Sequence, residues 1–260
     1  MWVPNDARMG ALGVEPMNAR SVILSSLLGS HPPRQSARSL VALAERFGIR
    51  PGTVRTSLSR MVAAGDLGTD DARYWLTDRL LARQREQEAG RRQNDAPWDG
   101  TWWSVVVESD RRTVAERRAF RSSMRGARLA ELRPDIWLRP ANVVAPPRAD
   151  GVLVTRGSLA ADDVRALTAR LWDLDEIERL AQRLETTLVG HRPVLDSSDA
   201  DAALPTTFTI AAAAVRFLRI EPQLPAELTP DRWTAPSIRR LYADFSTAFE
   251  TQLREFFAHT

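Results

Sequence analysis

The segment PGTVRTSLSRMV carries the most specific chemistry in the chain, in Arg55, Thr56, Ser59 and Arg60. On a helix these four share one side, because residues three to five apart in sequence become neighbours there. Arg55 and Arg60 each offer a planar fork of N–H donors that suits a phosphate or the O6/N7 edge of guanine. Thr56 and Ser59 are short, so a helix bearing them can sit deep in a groove and touch bases or phosphates. Val54, Leu58 and Met61 fall at i, i+4 and i+7 and supply a separate apolar face. Arg50 and Thr53 stand at the start of the same helix, where free amide hydrogens and the helix dipole favour phosphate. Arg73 is a candidate for a backbone or minor-groove contact, and Arg38 and Arg46 for flanking phosphates. Solvated surface charge is the plain alternative for each of these arginines. Taken together they make double-stranded DNA the leading partner.

Charge placement points the same way. The formal net charge is only +3, and every one of the 36 basic side chains is an arginine. Genomic base composition accounts for the missing lysine. Between Asn18 and Gln93, however, 13 arginines face 7 acids, whereas from Asn94 onward 22 face 24. The positive excess thus sits on the segment that holds the helix, as attraction to phosphate requires.

Other chemistries find little support. With no cysteine there is neither a disulfide framework nor a thiolate metal site, and a cytoplasmic location is compatible. The three histidines, His31, His191 and His259, have no metal-ligand spacing. No nucleophile triad, phosphate-binding glycine loop or zinc-protease signature is present. Glu108 and Asp110 read as a solvated turn in preference to a metal site. No apolar run approaches the length of a membrane span, and no secretory signal is expected at the N-terminus. No catalytic residue and no metal site are assigned, and an enzyme is not expected.

The elements that would position the arginines follow from periodicity and punctuation. Residues 1–18 read as a flexible tail. A first helix over 19–28 is closed by Gly29, and HPPR turns the chain. Ser36 or Ser39 starts a second helix carrying Leu40, Leu43, Ala44 and Phe47, which Gly48 ends. Pro51 opens the third, DNA-reading helix, and Gly65 closes it. Short strands at 67–69 and 73–76 flank Asp70 and Asp71 as a wing, so residues 19–76 make a winged helix-turn-helix. Residues 77–97 read as a polar linker helix. A middle domain at 98–174 has strands at 101–108, 135–138 and 151–155 and helices at 111–129 and 161–171, an α+β order of ferredoxin-like type. Residues 175–260 are mainly α-helical, with helices at 175–188, 206–219 and 236–257. Leu241, Phe245, Phe249, Leu253 and Phe256 recur at helical spacing and serve packing.

With these residues in view, a resemblance can be named. The stretch SLLGSHPPRQSARSLVALAERFGIRPGTVRTSLSRMVAAGDL, followed by RYWLTDRLLARQREQ and PWDGTW, closely resembles the PaaX family of transcriptional repressors of phenylacetate catabolism. The likeness continues through ELRPDIWLRPANV, LWDLDEI and EPQLPAELTPDRWTAPSIRRLY, and covers nearly the whole chain from Ser21 onward. It implies an N-terminal winged helix, a middle domain with the fold of the Cas2 nuclease, and a helical C-terminal domain. It also implies a homodimer that leaves its operator on binding phenylacetyl-coenzyme A. Arg55, Thr56, Ser59 and Arg60 fall on the family's recognition helix. One departure concerns the effector: many members carry a histidine and an aromatic where TIAAAAVRFLRIEPQLP has Ala212 and Ala214. This points to a different acyl thioester or to none.

The reading is therefore a dimeric, cytoplasmic transcription regulator. It acts as a repressor on an inverted repeat whose half-sites lie about 34 Å apart, and an aryl- or acyl-coenzyme A thioester releases it. Arg139, Arg216 and Arg219 are candidates for the coenzyme phosphates, with surface or structural roles as the alternative. Two other classes stand beside it. One is a protein-binding winged-helix dimer, which would show no salt-dependent DNA affinity; the other is a metal-dependent nuclease using the Cas2-like domain.

Overall fold

Among the described residues, helices predominate in the N- and C-terminal parts and an antiparallel sheet lies between them in sequence. The computed structural model describes residues 17–70, 72–81, 84, 97–108, 112–160 and 163–260. Most of the expected tail, most of the expected linker helix, and Asp71 and Asp110 lie outside the described residues. The chain divides into two compact units: Met1–Arg91 with Arg183–Arg216 and Ser237–Thr260, and Arg92–Gln182 with Phe217–Pro236.

In the first unit, helix α1 (Ala19–Leu28) begins where Asn18 Oδ1 accepts from the Ser21 amide at 3.0 Å. Its broad apolar face buries Val22, Ile23, Leu24, Leu27 and Leu28. Strand β1 (Arg34–Ser36) follows, and Ser36 then caps helix α2 (Ala37–Arg46) by accepting from the Ser39 amide at 2.9 Å. Gly48 takes φ +72°, a left-handed geometry that turns the chain toward helix α3 (Pro51–Ala63). Leu40, Leu43, Ala44, Val54, Leu58 and Met61 are all buried in a common core.

Strands β2 (Leu67–Asp70) and β3 (Arg73–Leu76) form the expected hairpin, and β1 adds to it in the order β1-β3-β2. The stretch that β1 belongs to reads as a turn in the sequence. Three polar residues carry no strand signal, and only the pairing of Arg34 with Trp75 and Ser36 with Arg73 makes them one. Gly68 matters here for space: a Cβ at that position would overlap the Trp75 indole.

The second unit is built on β4 (Thr101–Val107), β5 (Ala130–Arg133), β6 (Ile136–Pro140) and β7 (Val152–Ser158), antiparallel throughout in the order β5-β6-β4-β7. Helix α4 (Val114–Gly126) opens with a reciprocal cap between Thr113 and Glu116. It is shorter than the expected 111–129, because β5 begins immediately after it. Helix α5 (Val164–Leu171) follows β7.

Neighbouring residues on a strand point to opposite faces, so Trp137 and Leu138 separate the two sides of this sheet. On one side Val105, Trp137, Met124 and Leu129 pack with Phe120 of α4. On the other, Trp102 and Leu138 pack with Val164, Leu167 and Leu171 of α5 and with Leu228. The sheet thus carries one helix on each face.

Helices α6 (Leu174–His191), α7 (Leu204–Ile220) and α8 (Ala235–Ala258) complete the chain, each a little longer than its periodicity indicates. Helix α8 buries Ile238, Tyr242, Phe245, Phe249 and Leu253, whereas Leu241 and Phe256 are half-buried. Within the first unit Phe208 meets Phe47 and Phe249 edge to face, at 5.6 and 5.5 Å between centroids.

Candidate nucleic-acid interface

Helix α3 is split between two faces. Val54, Leu58 and Met61 are no more than 2% exposed, while Arg55, Thr56, Ser59 and Arg60 are all exposed. Thr56 Oγ1 donates to the Gly52 carbonyl at 2.9 Å, which parks its hydroxyl against its own helix. At the helix start Arg50 is the N-cap and makes no side-chain cap bond, and Pro51 occupies the first helical position. The Thr53 amide donates back to the Arg50 carbonyl at 3.0 Å, so that amide is already engaged; its side chain is exposed.

The remaining candidates lie on adjacent elements. Arg38 is exposed in the first turn of α2, and Arg73 is exposed at the start of β3. Thr69 Oγ1 donates to the Arg73 carbonyl at 3.0 Å and ties the two strands there. Among the described residues, none of Arg38, Arg50, Arg55, Arg60 and Arg73 is ion-paired to an acid. Five guanidinium groups are thus left for an outside partner.

Arg46 behaves differently from its sequence expectation. It pairs with Asp201 at 2.8 Å and lies over the Phe256 ring at 5.6 Å, a packing role and not a free phosphate contact. Nothing near Arg46 in sequence foretells a partner 155 positions away.

The anchor of this region is a residue that periodicity does not single out. Asp66 is 2% exposed, yet it pairs with Arg20 at 2.7 Å and with Arg79. Its amide donates to the Met61 carbonyl at 2.9 Å, and its carbonyl accepts from the Thr77 amide at 3.2 Å. One carboxylate therefore fastens the end of α3 to α1 and to the chain after β3. Arg34 pairs with Asp70 and lies over the Trp75 ring at 5.0 Å, bracing the hairpin.

Elsewhere the candidates are not gathered. Glu108 is exposed, and Asp110 is outside the described residues. Among the described residues no group of three or more His, Asp or Glu side chains is placed to hold a metal ion. His191 accepts or donates at 2.8 Å to Thr207 Oγ1, and burial pushes its pKa below 6.5. Arg216 and Arg219 are exposed, whereas Arg139 is buried. Ala214 is fully buried on α7 and Ala212 half-buried. No helix among the described residues is long and apolar enough to cross a membrane.

Comparison with known proteins covers most of the chain. Residues 18–80 match the family of PaaX-like proteins, and residues 172–259 match the PaaX-like protein C-terminal domain. Among solved structures, an uncharacterized protein, Rv0674 from Mycobacterium tuberculosis, is 37% identical. The match covers 92% of this chain and 98% of that one, with a TM-score of 0.67. No curated protein matches. Two family domains at the two ends of the sequence, joined by a structural likeness across nearly its full length, place the chain in the PaaX family of regulators.

Proposed function

We propose that the chain is a homodimeric, DNA-binding repressor of transcription. The observation that carries this reading is α3, whose buried apolar triad leaves Arg55, Thr56, Ser59 and Arg60 on the surface with both arginines unpaired. Residues 19–76 act as a winged helix-turn-helix: α3 enters the major groove, Arg50 and Thr53 approach phosphates at its start, Arg38 grips the flanking backbone, and Arg73 reaches from the wing. Two protomers related by a two-fold axis read an inverted repeat. The middle segment 98–174 is the counterpart of the family's Cas2-like domain, with the difference from a ferredoxin-like fold that its two helices lie on opposite faces of the sheet, and 175–260 is the helical C-terminal domain. The protein works in the cytoplasm, and an aryl- or acyl-coenzyme A thioester releases it by binding the off-DNA shape more tightly.

Binding of purified protein to the promoter regions of its own and neighbouring genes tests this directly. The assay is repeated with coenzyme A and with acetyl-, phenylacetyl- and other aryl thioesters. Specific binding that one thioester abolishes is the expected result. Specific binding indifferent to every thioester removes the effector and keeps the DNA reading; folded, dimeric protein without specific binding removes both.

A further inference from the structure

Arg139 is a buried cation without a counter-ion. Its residue is 4% exposed, and one nitrogen, Nη1, donates to the Ala127 carbonyl at 2.5 Å. Nε and Nη2 are both buried and have no hydrogen-bond partner. Among the described residues it has no ion pair to an acid, and the charge that acts on it, Arg128, has the same sign. Burial first, and Arg128 second, push its pKa down to about 10. Proteins rarely leave a guanidinium in this state, because an unpaired buried charge is costly.

The surroundings are rich in donors. Arg139 on β6 stands directly opposite Trp103 on β4, on the same face, and Arg156 on β7 stands opposite Trp103 on its other side. Trp103 Nε1 is a second buried donor with no partner. Arg128, which has φ +62° and donates to the carbonyls of Leu218 and Glu221 at 3.0 and 3.1 Å, adds positive charge at this corner. The carbonyl bonds that these two arginines make, to Ala127, Leu218, Arg219 and Glu221, leave the Nε–Nη2 edge of Arg139 untouched. Nε and Nη2 are neighbours on one edge of the guanidinium, the pair that makes two parallel bonds to an oxyanion.

We propose that the corner formed by Arg139, Trp103 and Arg128 is a binding site for the oxyanion of a ligand, a phosphate or a carboxylate group. The two oxygens take the Nε–Nη2 edge of Arg139, and Trp103, its cross-strand partner, carries the further unpartnered donor Nε1. Trp103 and Arg128 are half-buried and so are the members of the corner nearest the surface. This assignment deepens the effector part of the proposed function, for which Arg139 is a candidate phosphate contact; its test contains neither DNA nor a thioester, so each can fail alone.

Thermal unfolding of the full-length protein in sodium pyrophosphate, sodium acetate and sodium chloride at equal ionic strength provides that test. Wild type is expected to show a saturable rise in Tm with pyrophosphate or with acetate, on the order of 5 °C at a hundredfold excess over Kd. Whichever salt acts names the group. Arg139→Met is expected to lose the response while its Tm in chloride stays level or rises, because an uncompensated charge has gone. Arg139→Lys keeps a charge without the fork and is expected to lose most of the response even where the Met variant fails to fold. No anion-specific rise in wild type, or an equal rise in the variants (an adventitious ion only), overturns the site.

Discussion

Single residues in this protein divide by whether their charge is spoken for. Arg55 and Arg60 are exposed and unpaired, whereas Arg20 and Arg79 hold Asp66, Arg34 holds Asp70 and Arg46 holds Asp201. Changing Arg55 or Arg60 to Gln is expected to weaken operator binding by about 1–3 kcal/mol and relax preference at one base pair, as read by competition with mutated operators. Arg38→Gln or Arg73→Gln is expected instead to weaken all sequences alike and to flatten the log–log salt slope by about 1. Equal losses on operator and scrambled DNA for Arg55 and Arg60 would assign them to phosphates. Asp66→Asn should lower stability by about 1–3 kcal/mol in urea unfolding, because a buried acceptor set is disrupted. His191 sets a pH signature: with its folded pKa depressed below 6.5, the unfolded chain binds the proton more readily. The contribution linked to His191 is therefore full well above pH 6.5 and falls away as pH drops toward the folded value; in His191→Gln that part of the slope should vanish.

At the level of elements, helices were legible where apolar residues repeat at helical spacing and a cap or breaker marks the end. Ser36 and Pro51 begin α2 and α3, and Gly48 and Gly65, at φ +72° and +70°, stand just past the ends of those helices; Asn18, which the sequence leaves in the tail, caps α1. Two of the short strands were not legible in the same way. Arg34–Ser36 and Ala130–Arg133 lack a strand pattern of their own; they exist because β3 and β6 offer them backbone partners. The β2–β3 hairpin also depends on close approach, since Trp75 lies against Gly68. Gly68→Ala is expected to destabilise the protein by about 1–3 kcal/mol, measured by urea unfolding, because the indole must move out of its packing. An unchanged midpoint would mean that the indole moves freely.

For the whole molecule, both units draw on segments far apart in sequence. Phe47, Phe208 and Phe249 form a chain of rings inside one of them, and truncating its middle member, Phe208→Ala, should cost about 3–5 kcal/mol. The sequence alone determined the three N-terminal helices, the polar face of α3 and the family. Those depend on local periodicity, on capping chemistry and on side-chain type, all of which are written in short windows. Tertiary structure alone decided that Arg46 is engaged by Asp201, that Asp66 fastens α3 to its neighbours, and that Arg139 is buried without a counter-ion. The reason is physical: whether a charge is free, paired or stranded depends on what distant parts of the chain bring beside it.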